Sequence, residues 1–280
     1  MNSEEDGNSG PGPVARIGKK LGAVLGAVLL FVVVKGGGAL VGYGISHGVV
    51  SAAEGSGGSY ANSTSPQPSA SELETALSND PRFSKPFKVM KLHYPAELND
   101  MFSRSMSSSD PKSVAFHFMK NFRIEHSAGA AQAPDAQLNA LLLAELSTME
   151  FLAPRSEQAC AAMGFGTAGP DFVWPTGTES KLADSLPIFI EAAALGEKAP
   201  VGRDFSYLSD RIADRWVSGM MADGITQAQL EAFFDGSIMQ SSHSDQCVVA
   251  LAMYRSIAAM DAADAAFLYA FLMNEAAAAL

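Results

Sequence analysis

Residues 134–153 read PDAQLNALLLAELSTMEFLA. Leu138, Leu141, Leu142, Met149 and Leu152 recur on one side at the helical period, and Leu143 and Leu146 widen the stripe. A stripe this broad, with no strand-like alternation, predicts a long helix that is covered on several sides. This helix is expected to be central to the fold.

Working upstream, Asp110 is placed to cap a helix and Pro111 to fill the first turn of PKSVAFHFMKNFRIEH, where Ala115, Phe118, Met119 and Phe122 form one apolar face. Pro95 opens PAELNDMFSRSM, and Ser71 can cap a short helix, SELETALS. Between these, Pro81 and Pro86 break the chain and residues 87–94 alternate only weakly.

Downstream, a Gly/Pro-rich break at 164–177 separates two halves. Thr176-Gly177-Thr178-Glu179 resembles a capping box opening a helix that carries Pro187 and ends near Gly196. Asp204 is read as the cap of the next helix, with Phe205, Leu208, Ile212 and Trp216 on one face and Gly224 as its end. Thr226 with Gln229 begins another, closed by Gly236. Ser242 with Asp245 precedes a helix containing Cys247, and Asp261 caps the last, alanine-rich run. Strand signals are nearly absent and no repeat period is visible. The expected architecture is all-α, with one globular domain of about eight or nine helices.

Residues 21–34 (LGAVLGAVLLFVVV) hold nothing more polar than glycine, yet fourteen residues are too few for a bilayer core that needs roughly 20. Reading on past Lys35 recovers the length, so a transmembrane anchor is expected over 21–45: a span ending near Leu40 puts Lys35 toward the far end where it can snorkel, and one ending at Ile45 puts it near mid-membrane at about 2.5–3.5 kcal/mol. Arg16, Lys19 and Lys20 precede it and favour keeping the N-terminus in the cytoplasm. The expected layout is a disordered cytoplasmic tail at 1–20, a single-pass anchor in the inner membrane, a flexible linker at 46–80 (with GSGGS and STSPQPS), and a helical domain at 81–280 in the periplasm or outside. Two other readings compete: a cleaved signal peptide ending near Ser51-Ala52-Ala53, and a helical hairpin turning at residues 36–38 that returns the domain to the cytoplasm. Gly18, Gly22 and Gly26 recur every fourth residue, as do Gly38 and Gly42, a spacing that lets a second backbone approach and suggests self-association in the membrane.

The formal charge is −11 and it is unevenly placed. Residues 82–123 carry eight Lys/Arg against Glu97, Asp100 and Asp110, whereas residues 128–280 carry seven Lys/Arg against nineteen Asp/Glu, a net of −12. A basic neck thus joins an acidic body, and such a neck suits anionic lipid or another polyanion, or is simply a solvated helix surface. The acidic body argues against nucleic acid as a partner, since phosphate binding needs a cationic surface.

Cys160 and Cys247 both fall in helical patterns. In an oxidising compartment an even pair in one domain reads as a disulfide, which fits an exported topology; two buried free thiols are the alternative.

Motifs for chemistry fail on context. Residues 164–169 (GFGTAG) satisfy GxGxxG, but a helix precedes them and Pro170 follows, so the dinucleotide fingerprint lacks its strand and helix. The surrounding loop nevertheless holds Phe165, Phe172 and Trp174, candidates for a partner-binding surface unless they fold inward and plug the core. His117 and His126 are nine residues apart, on opposite sides of one helix, and cannot chelate together. His243-Ser244-Asp245 with Cys247 reads as a capping region rather than a nucleophile site. Ser109-Asp110-Pro111-Lys112 matches SxxK without its companion elements. Asp210, Arg211, Asp214 and Arg215 read as a salt-bridged face. No cofactor or metal is expected. The functional expectation is a membrane-anchored, non-catalytic helical domain that binds another envelope protein, including the version in which it is an immunity-type protective protein, with self-association through the anchor. The alternative is an envelope hydrolase with a cleft near 164–177.

Overall fold

The computed structural model describes residues 70–80, 83–169 and 171–278. Among them are eleven α-helices, one 3-10 turn and no strand. In chain order they are α1 (Ala70–Asn79), α2 (Ser84–His93), α3 (Pro95–Ser107), α4 (Pro111–Ala131), α5 (Asp135–Leu152), α6 (Glu157–Phe165), α7 (Thr178–Lys198), α8 (Asp210–Ala222), α9 (Gln227–Asp235), the 3-10 turn Ser237–Gln240, α10 (His243–Ala258) and α11 (Ala262–Ala278).

The all-α expectation holds, but the helix number is higher than expected. One helix with no counterpart among those expected is α2. Pro86 stands at its third position, inside the first turn, where backbone N–H groups have no intrahelical acceptor, so the proline costs no hydrogen bond there. The expected linker at 46–80 also ends too late: α1 packs on α2, and Leu77 lies in the same core as Phe83, Phe87 and Met90.

One core runs from Leu77 to Ala276. α5 packs against α6, α7, α10 and α11, and α4 packs against α3, α7 and α11. Leu138, Leu141, Leu142, Met149 and Leu152 are all buried, as their period requires. Leu143 is not; it lies on the solvent side of α5, and Leu146 is only partly covered. The disulfide between Cys160 and Cys247 is formed and joins α6 to α10, with the Cα atoms 5.2 Å apart.

Local end signals hold where a cap needs only residues three apart. The Asp110 carboxylate accepts the Ser113 N–H at 3.0 Å, Thr226 and Gln229 make a full capping box, Ser242 accepts from the Asp245 N–H, and Asp261 accepts from the Asp264 N–H. Two caps differ from expectation. Asp204 accepts instead from the Ser206 N–H, a local turn, and α8 begins only at Asp210. The α7 start is Gly177 with φ +90°, and the Thr178 hydroxyl donates to the Pro175 carbonyl, so Thr176 caps nothing.

The expected tail, the anchor with Lys35, and Gly18, Gly22, Gly26, Gly38 and Gly42 lie outside the described residues. Among the described residues no helix is long and apolar enough to cross a membrane.

Candidate functional site

α3 and α4 form a helical hairpin whose short connection is ordered by two side-chain bonds. The Ser108 hydroxyl accepts the Asp110 N–H at 3.0 Å, and Asp110 in turn caps α4. α3 buries Leu98, Met101, Phe102 and Ser105, which recur at the helical period. The adjoining stripe of Ala96, Asp100 and Arg104, with Glu97 beside it, is therefore turned outward along the α4 flank. From α4, Val114, Phe118 and Phe122 project into the same space. The result is an open groove of about 550 Å³.

Its floor is aromatic. Phe118 stacks on Phe122 with centroids 6.3 Å apart and planes 21° apart. Phe122 meets Tyr94 edge-on at 5.0 Å and lies 4.2 Å from the His126 ring. Glu197, from the end of α7, ties this end down: it accepts the Tyr94 hydroxyl at 3.0 Å and contacts His126 Nδ1 at 2.5 Å. Burial, then the Glu197 charge and hydrogen bond, push the Tyr94 phenol far above its ordinary range, so it stays a neutral donor.

The rim is acidic. Asp100 is held by Arg104 one turn on, with contacts of 3.0 Å and 2.8 Å. Glu97 and Glu125 form no ion pair among the described residues. His117 is exposed on the same rim, its ring edge-on to Phe116 at 5.3 Å. No groove side chain is hydrogen-bonded into a nucleophile–base pair among the described residues. The ligand the groove suits carries a cation beside an apolar group.

Phe165 is 0% exposed and Trp174 only 5%, so both rings belong to the core, and neither is available as a partner anchor. Phe172 lies half-buried against Trp174 at 4.5 Å, which leaves Val173, 85% exposed, as the apolar tip of that loop. Gly164 of the GxGxxG match is the last turn of α6. A Cβ there would fall 2.4 Å from the Ala250 Cβ, so this glycine serves the α6–α10 approach.

His126 is half-buried behind the groove floor and His117 is on its rim, separated as the helix period requires. Asp245 is occupied by the Ser242 hydroxyl at 2.7 Å and the Gln229 amide at 3.0 Å, which hold its carboxyl below the usual range; His243 is exposed beside it. Arg211 and Arg215 do not serve their own helix face: both reach Asp264, and Arg215 also reaches Asp261, tying α8 to the start of α11. Among the described residues no group of three His, Cys, Asp or Glu side chains is placed to hold a metal.

A second polar constellation was not legible as such. Arg123 Nη2 contacts Glu145 Oε1 at 2.5 Å, and Glu145 Oε2 accepts the hydroxyls of Tyr269 at 2.6 Å and Tyr254 at 3.1 Å. The guanidinium also lies 4.5 Å from the Phe189 ring centroid. Burial, the largest single influence, lowers the Arg123 pKa, but the Glu145 charge and hydrogen bond together with Tyr269 and Tyr254 outweigh it, so the pKa is raised and the guanidinium stays charged. This network is sealed inside the core and joins four helices at one carboxylate. The one sequence signal for it is that Glu145 falls within the apolar stripe of α5, four residues from both Leu141 and Met149.

No protein-family model, no curated protein and no solved structure matches the chain.

Proposed function

We propose that this chain is a membrane-anchored, exported helical binding module, without catalysis of its own, that holds another envelope protein in the groove between α3 and α4. The observation that carries the reading is the groove itself: an aromatic floor of Phe118 and Phe122 flanked by two carboxylates, Glu97 and Glu125, that have no cationic partner among the described residues. Unpaired rim charge over an apolar floor favours a segment bearing lysine or arginine next to an apolar side chain. The anchor over 21–45, with its basic N-terminal flank, supports a location at the inner membrane with the domain outside the cytoplasm. The Cys160–Cys247 bridge is of the kind that persists in an oxidising compartment. In its most specific version the protein is protective: its carboxylates cover the cationic site of a partner. Self-association through the glycine-spaced anchor accompanies this.

The envelope-hydrolase alternative has less support, because Phe165 and Trp174 occupy the space near 164–177 where its cleft would lie. The test is photo-crosslinking in intact cells from a benzophenone side chain at His117 of the full chain. A discrete protein adduct that disappears in the Glu97→Lys/Glu125→Lys variant is expected. An adduct unchanged by that double charge reversal would remove the groove from the binding site.

A further inference from the structure

α2 is a short helix with two contrasting sides. Pro86, Phe87 and Met90 are buried, and the helix packs along α7. At 3.6 residues per turn, Lys85, Lys88, Lys91 and Leu92 then share the opposite arc of about 120°, and all four are exposed. The helix contains no acidic residue. Lys91 is paired with Glu74 of α1, whereas Lys85 and Lys88 have no ion pair among the described residues. Leu92 is 73% exposed, an apolar side chain standing among ammonium groups. A fourth ammonium, Lys198 at the end of α7, comes within 3.5 Å of His93 Nδ1 at the same end of α2.

We propose that this face of α2 lies on an anionic phospholipid surface, with Leu92 entering the headgroup layer. Basic side chains around an exposed leucine are the composition of an interfacial helix face: the lysines meet lipid phosphates and the leucine is removed from water. Two further observations set this orientation. The rest of the body, residues 128–280, carries −12 and is repelled by the same surface, so the basic face is the one turned toward it. The chain also enters the domain here, since α1 begins at Ala70 and packs on α2, and the residues between the anchor's end at 45 and α1 span at most about 85 Å even fully extended. The proposal rests on the membrane-anchored reading and adds which face the anchored domain turns to the bilayer.

The test uses the full chain, labelled with an environment-sensitive fluorophore at Leu92→Cys or, as a reference, at Val173→Cys, and mixed with vesicles of phosphatidylcholine alone or with about a third phosphatidylglycerol. Flotation reports the anchor and quenching by nitroxide-labelled lipid reports the face. The expected result is flotation with both vesicles, quenching at position 92 only with the anionic ones, none at 173, and loss of quenching by tenfold or more in Lys85→Glu/Lys88→Glu or in high salt. Flotation with both and a water-exposed position 92 in both overturns this proposal while leaving the anchor intact. Flotation with anionic vesicles alone, abolished by the double reversal, overturns the anchor and supports the face. Flotation with neither overturns both. Lys85 and Lys88 are exposed, so their reversal leaves the fold in place, and an unchanged helical circular dichroism spectrum verifies it.

Discussion

Glu145 faces the interior because the period of α5 puts it there, between Leu141 and Met149, and its charge is tolerable only because three donors converge on it. A buried carboxylate and guanidinium lose hydration worth several kcal/mol each, and mutual attraction offsets this only when the remaining lone pairs are satisfied. Removing one partner is therefore far worse than removing a peripheral donor. Glu145→Ala, which strands Arg123, should lower stability by about 3–5 kcal/mol in urea denaturation; Tyr269→Phe, which removes one donor to a charged acceptor, should cost about 1.5–3 kcal/mol. If Glu145→Ala unfolds at the parent's midpoint, the network contributes nothing that water could not replace. Legibility at this scale follows sequence distance. The caps at Asp110, Thr226, Ser242 and Asp261 involve partners three residues away and could be read directly. The partners of Glu145 are 22, 109 and 124 residues away, beyond any local pattern.

At the scale of elements, helix existence and the buried side of α5 were legible, since both come from hydrophobic period. The exceptions have local causes. A proline in the first turn hid α2, and an Asx turn at Asp204 displaced the start of α8. Helix-to-helix distance was not legible. α4 and α7 cross so closely at Gly129 and Gly196 that a Cβ on Gly196 would stand 1.8 Å from the Gly129 carbonyl oxygen. That oxygen is backbone, so relief requires moving a helix. Gly196→Ala should therefore destabilise by about 2–3 kcal/mol, whereas Gly169→Ala, with open space around its Cβ, should stay within about 0.5 kcal/mol of the parent. Thermal melts followed by circular dichroism compare the two; equal melting temperatures would mean the crossing is loose. The same crossing brings Glu197 to Tyr94 and His126, so loosening it should also weaken capture in the groove.

For the molecule as a whole, the bridge between α6 and α10 closes a loop of 87 residues. By chain entropy this constrains the unfolded state by on the order of 4 kcal/mol. Cys160→Ser should then melt roughly 8–16 °C below the parent, given a domain of this size, and Cys247→Ser should match it. In intact cells both thiols of the parent should resist a mass-adding alkylator until reductant is added. Immediate labelling after denaturation without reductant would remove the bridge and reopen the cytoplasmic topology. By itself the sequence determined the helical class, the buried side of α5, the caps at Asp110, Thr226, Ser242 and Asp261, the charge division between neck and body, and a pair of cysteines able to join. All of these depend on residue chemistry and on spacings within a few turns. Only the tertiary structure decided that Phe165 and Trp174 turn inward, that α3 and α4 enclose a groove whose Glu97 and Glu125 have no ion pair among the described residues, and that Lys198 reaches His93 at the end of α2. Those outcomes depend on which helix lies beside which, a choice made by many small packing energies summed over distant segments.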